Sequence, residues 1–139
     1  MGKEVTDINR YSNNNHKYLL QYHLIFVCKY RKKLLTREIS DDIKQLSYEI
    51  CSKHNVTIRE METDLDHIHY FIETEPTISI SQIVCFMKSY TTYHIWKRYG
   101  KYLSKYLWNN NTFWTDGYFV CSVGNVSQET LKNYIQNQG

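Results

Sequence analysis

Proline is nearly absent from this 139-residue chain, at one residue, and glycine is scarce, at five. Disordered segments are commonly rich in both, so long linkers are excluded, and the 42% hydrophobic content suits one packed core. No run of about 20 apolar residues occurs, which excludes a membrane-spanning helix. The opening residues Met1-Gly2-Lys3-Glu4 lack the apolar stretch of a secretory signal, so a cytoplasmic protein is expected. The four cysteines, Cys28, Cys51, Cys85 and Cys121, contain no C-x-x-C pair. Each lies in an apolar run, and all four read as reduced core thiols, neither a zinc knuckle nor a disulfide frame. One domain is expected over 17–139, preceded by a loose polar arm over 1–16 that carries Asn13-Asn14-Asn15.

Charge is modest in sum, at +3, but uneven in placement. Lys29, Arg31, Lys32 and Lys33 crowd after the first apolar segment, and Lys97, Arg98, Lys101 and Lys105 form a second group. Tyr30, Tyr99, Tyr102 and Tyr106 interleave with them. Cations neutralise phosphates and aromatic faces stack on unpaired bases, so the pattern suits single-stranded or hairpin nucleic acid; it suits a solvated basic surface equally well. Lys29, Arg31, Lys32, Lys33, Lys97 and Arg98 are the candidate DNA contacts.

Periodicity supplies the elements. Tyr18, Leu20, Tyr22, Leu24, Phe26 and Cys28 alternate, which predicts a strand over 17–28 with these residues on one face. Thr36 is placed to cap a helix to about Lys53 through Ile39, Ile43, Leu46 and Ile50. Val56–Met61 and His67–Glu73 read as a hairpin around Asp64-Leu65-Asp66, and Pro76 stops the second strand. A long helix is expected from about Ser79 to Tyr99, a fourth strand from about Phe113 to Val123, and a last helix capped by Asn125 or Ser127. The order β-α-β-β-α-β with an additional C-terminal helix is an α+β, ferredoxin-like split βαβ arrangement.

Asp66-His67-Ile68-His69 is the segment with most chemical content. Histidines on either side of one strand residue point to the same face, with Cα atoms about 7 Å apart, so two imidazoles can reach one ion at roughly 2.1 Å. Tyr134 and Gln138 are four apart and share a face of the last predicted helix. Two imidazoles, an amide and a phenol make a set suited to attack on phosphate. The same residues also read as two partly exposed strand histidines and one core-facing helix tyrosine.

Taken in order, Asp66-His67-Ile68-His69, the stretch Trp114 to Gly124 (WTDGYFVCSVG), and Tyr134 with Gln138 resemble the small single-tyrosine HUH transposases of insertion sequences that move as single-stranded DNA. The likeness extends from about Tyr18 to Gln138 and includes the Lys29–Lys33 segment. The resemblance implies a homodimer with active sites shared between subunits. It implies binding to single-stranded DNA with subterminal hairpins, and cleavage and rejoining through a 5′-phosphotyrosine. It further implies Tyr134 as nucleophile and His67, His69 and Gln138 as ligands of a divalent ion. By ligand chemistry that ion is Mg²⁺ on grounds of abundance or Mn²⁺ on grounds of softness. Two other readings stand beside it: another HUH endonuclease, such as a relaxase or replication initiator, and a non-enzymatic ferredoxin-like nucleic-acid-binding module. The far C-terminal tyrosine favours the transposase over the former, and the histidine pair has no purpose in the latter.

Overall fold

The computed structural model describes residues 19–123 and 133–138. The elements run β1 (Leu20–Val27), α1 (Arg37–Lys53), β2 (Thr57–Thr63), β3 (His67–Thr74), α2 (Ile80–Leu103) and β4 (Phe119–Ser122). A helical turn follows at 133–136. The strands form one sheet in the order β2-β3-β1-β4, with every neighbouring pair antiparallel. This is the expected α+β split βαβ arrangement. The expected arm over 1–16 and the caps at Asn125 and Ser127 lie outside the described residues.

Both long helices start where a side chain can satisfy a free backbone N–H. Thr36 accepts from the Ile39 amide, and Ser79 forms a reciprocal capping box with Gln82. Their apolar stripes, Ile39, Ile43, Leu46 and Ile50 on α1 and Ile83, Met87 and Ile95 on α2, pack against Leu24, Phe26, Ile68, Tyr70 and Ile72 of the sheet. Tyr70 is fully buried, and its hydroxyl meets Ser47 of α1 at 2.8 Å, so the largest core ring leaves no polar atom orphaned.

Three expectations are corrected. The second helix runs past Tyr99 to Leu103, with a break at Tyr99 (φ −125°, ψ 25°). Leu103 is buried and the Tyr99 hydroxyl donates to Asp42 at 2.6 Å, so packing on α1 extends the helix beyond its sequence signal. The fourth strand is only Phe119–Ser122, not 113–123. Phe113 and Trp114 are buried and join β1 through a single bridge, Cys28 to Trp114, and the chain then leaves the sheet. The carbonyls of Thr115, Asp116 and Gly117 all turn toward the Lys88 amine, at 2.7, 3.3 and 2.9 Å, so they are lost to strand pairing. The cysteines are free, but only Cys28 and Cys51 are buried; Cys85 is exposed on α2 and Cys121 is half-buried. An apolar neighbourhood in sequence does not fix which side of a helix a residue faces.

The second face of the sheet matters for function. Alternation places Leu24 and Phe26 toward the helices, so His23, Ile25 and Val27 point the other way. Register then fixes their neighbours: Ile25 lies between His69 of β3 and Phe119 of β4, and Val27 lies beside His67.

Candidate active site

The tight turn that precedes the histidines is held by the Asp64 amide donating to the His67 carbonyl at 2.9 Å, and by the Asp64 carboxylate accepting from the Leu65 amide. It delivers His67 and His69 at the start of β3, both half-buried and both on the face away from the helices. Each ring has one nitrogen engaged. His67 Nδ1 meets Asp66 Oδ1 at 2.9 Å, and His69 Nε2 meets His23 Nδ1 at 2.8 Å. Burial is the main cause that lowers the pKa of His69 below its ordinary 6.5, with His23 the next; both favour a neutral ring, the form that ligates metals.

Tyr134 stands on the same face. Its ring packs on Phe119 with centroids 5.2 Å apart, and Phe119 shares a row with Ile25 and His69 across the sheet. The two strand spacings between Phe119 and His69 are roughly 10 Å. The Tyr134 hydroxyl is buried, has no hydrogen-bond partner among the described residues, and lies next to Gly117, where an added Cβ would sit 3.8 Å from it. Burial raises its pKa above the ordinary 10. Gln138 is half-buried at the end of this turn, its amide donating to the Ile135 carbonyl at 3.2 Å.

Arg31 links the tyrosine turn to the histidine motif. Its Nη1 donates to the Gln136 carbonyl at 3.1 Å, and its Nε lies 3.4 Å from the Asp66 carboxylate that also holds His67. The backbone reaches this position through two successive left-handed residues, Tyr30 (φ 59°) and Arg31 (φ 53°). Without glycine such conformations cost on the order of 1 kcal/mol each, and they persist where surrounding contacts dictate them.

Of the expected DNA contacts, Lys32, Lys33 and Lys97 are exposed, Lys97 lying over the Tyr93 ring at 5.3 Å. Lys29 pairs with Asp116 at 3.4 Å, and Arg98 pairs with Asp42 at 3.3 Å on the α1 side. Lys97, Tyr93 and Trp96 of α2 face the 110–116 segment across an open groove of about 750 Å³. Arg31 and Arg98 are exposed as well, although each also holds a carboxylate, and Lys29 is the least exposed of the six.

His23 and Lys88 were not singled out from sequence. A lone strand histidine carries no spacing signal, and only the β1–β3 register reveals that His23 neighbours His69. Strand parity was the available clue, because His23 alternates with the core positions Leu24 and Phe26.

Among the described residues no group of three or more His, Cys, Asp or Glu is placed to hold a metal ion. The donors on this face nevertheless fit one: two imidazoles, each with one ring nitrogen uncommitted among the described residues, so further ligands would come from an amide such as Gln138, phosphate or water.

The four-stranded antiparallel sheet with both helices on one face is a fold that this chain shares with a solved transposase. The model of the family described as "Transposase IS200 like" matches residues 16–138, and the chain belongs to the IS200-like transposase family. The transposase for insertion sequence element IS200 of Salmonella typhimurium LT2 is 30% identical over 118 residues, covering 85% of this chain and 76% of that protein. The ISDra2 transposase TnpA of Deinococcus radiodurans is 28% identical over 121 residues, covering 87% and 85%. A crystal structure of a candidate transposase from Deinococcus radiodurans R1 superposes with a TM-score of 0.81 at 25% identity, over 91% of this chain and 95% of that one. A REP-associated tyrosine transposase bound to a REP hairpin shares the fold, with a TM-score of 0.54 at 11% identity over 86% and 64% of the chains. No helix among the described residues is long and apolar enough to cross a membrane.

Proposed function

We propose that this transposase nicks and rejoins single-stranded DNA at insertion-sequence ends, with Tyr134 as the nucleophile. The observation that carries the reading is the Tyr134 hydroxyl, buried on the histidine face of the sheet with no partner among the described residues. An unsatisfied buried hydroxyl costs about 1–3 kcal/mol, a cost that a bound phosphate oxygen or water relieves. In the proposed step Tyr134 Oη bonds to phosphorus and the bond to the 3′ oxygen breaks, leaving a 5′-phosphotyrosine and a 3′-OH. The proton lost by the phenol is balanced by the one gained at the 3′ oxygen. One phosphoester is exchanged for another, so the reverse attack by a 3′-OH rejoins DNA and frees the tyrosine.

His67 and His69, with Gln138, are the proposed ligands of Mg²⁺ or Mn²⁺. When bound, the ion supplies positive charge that polarises the phosphate and offsets negative charge in the transition state. Asp66 orients His67, and Arg31 ties that carboxylate to the turn bearing the nucleophile. Lys32, Lys33 and Lys97 are the proposed backbone contacts, and the hairpin bound by the REP-associated relative supports a terminal hairpin as the recognised form. The protein is proposed to act as a homodimer with shared sites.

The test is covalent trapping. Wild-type protein incubated with single-stranded DNA carrying a subterminal hairpin and Mn²⁺ should give an adduct stable on a denaturing gel. Tyr134→Phe should bind the hairpin as well as wild type and give none. An adduct from the Phe variant would assign the chemistry to another residue.

A further inference from the structure

His23 is the histidine that the proposed chemistry leaves without a task, yet its position is closely defined. It lies diagonally across the β1–β3 ladder from His69, since Ile25 pairs with His69 and His23 with Phe71. Diagonal neighbours on one sheet face are within reach of ring side chains. The two imidazoles are nearly parallel (19°), with centroids 5.0 Å apart; a second ring, Phe71, lies 5.5 Å from His23, and Cys121 of β4 pairs with it on the other side. His23 Nδ1 and His69 Nε2 are 2.8 Å apart, a hydrogen-bond distance.

Two ring nitrogens at that distance share one proton. A neutral imidazole has one N–H and one lone pair. If His23 donated, His69 Nε2 would be the acceptor and His69 Nδ1 would carry the proton, so His69 would have no lone pair left for an ion. If His69 donates from Nε2, its Nδ1 lone pair is free. His67 presents the mirror case: its Nδ1–H donates to Asp66, and Nε2 has no hydrogen-bond partner among the described residues. Metal-ligating histidines commonly donate their second ring N–H to a fixed acceptor, which sets both tautomer and ring orientation.

We infer that His23 is a positioning residue for His69: it accepts the Nε2–H proton through Nδ1, so that His69 offers Nδ1 and His67 offers Nε2 to one divalent ion. The inference rests on the metal-clamp reading of His67 and His69 and goes beyond it by naming the acceptor and the two ligating nitrogens. Asp66 and His23 then play the same part for the two histidines, one as a carboxylate in the turn just before β3 and one as a ring on the neighbouring strand β1.

The tautomer is tested directly in the intact metal-free protein by nitrogen NMR of labelled histidine. The expected result is a protonated Nε2 and an unprotonated Nδ1 for His69, with the opposite pattern for His67. A protonated Nδ1 on His69 overturns the assignment. The second measurement is Mn²⁺ binding by calorimetry. His23→Phe keeps the ring stack but removes the acceptor, and should weaken Mn²⁺ binding by on the order of tenfold. His23→Asn places an amide oxygen near the lost Nδ1 and should recover most of that affinity. Equal Mn²⁺ affinity for wild type and His23→Phe, with affinity lost in His67→Ala/His69→Ala, overturns the role of His23 and leaves the clamp standing. Unchanged affinity in the double alanine variant overturns the clamp itself, and the inference with it. Melting curves of the metal-free variants identify any loss that comes from misfolding, in which case the NMR result decides.

Discussion

Tyr134 combines two properties that pull in opposite directions. Its hydroxyl is removed from water, which would shield the proposed phosphotyrosine, but the same burial raises the phenol above its ordinary pKa of 10. At neutral pH the phenolate fraction is therefore below one in a thousand, the value for an unperturbed phenol at roughly three units below its pKa. If the proton must leave before attack, single-turnover cleavage should climb with pH between about 7 and 9, close to tenfold per unit, with no plateau in that range. Rapid-quench measurements across buffers of equal ionic strength check this. A flat profile would show that a protein group removes the proton during attack. The neighbouring Gly117 belongs to the same scale: it offers the hydroxyl no side chain, so nothing from that position competes with an incoming phosphate.

At the scale of elements, the segment before β4 shows why part of the fold was legible in the sequence and part was not. The hairpin, the Thr36 cap and the Ile39–Ile50 stripe of α1 are local patterns, and each appears in the structure within a few residues of its expected place. The strand expected over 113–123 fails because a distant residue intervenes. Lys88, one turn beyond the core residue Val84 of α2, draws three successive carbonyls to its amine while lying over the Phe26 and Tyr118 rings. No window of sequence around 115–117 contains that information. The same holds for His23, whose partner is 46 residues away. Lys88 thereby shapes the loop that meets Tyr134. Replacing it by Met keeps the stem and removes the donors, and should cost about 2 kcal/mol, read as a lower melting temperature. Burial lowers the Lys88 amine from 10.5 to about 8. Between those values the unfolded chain binds more protons than the folded one, so the wild type should gain stability over Lys88→Met as pH rises from about 8 to 10.5. Equal melting temperatures at pH 7 would show that the three carbonyl contacts contribute nothing.

For the whole molecule, the proposed shared sites make a prediction about which subunit's Tyr134 meets which histidines. Among the described residues the 133–136 turn meets the Phe119 ring and Gly117 on one side and the Arg31 guanidinium on the other. An exchanged segment makes in a dimer the same contacts that it makes within one chain, and exchange between identical subunits is a low-cost route to a two-fold assembly. The proposed dimer therefore retains the seat seen here but fills it with the turn of the second copy. Complementation separates the two arrangements. One subunit carries Tyr134→Phe with intact histidines, and the other carries His67→Ala with an intact tyrosine. In a shared arrangement the mixed dimer has one complete site, with histidines from the first subunit and tyrosine from the second, and one site that lacks both. Mixing two inactive proteins should then restore covalent adduct formation, with the adduct on the His67→Ala subunit, which a size tag on one partner makes visible on the gel. If subunit exchange is demonstrated and no adduct forms, each site is built within a single chain, and the seat described here is already the working one.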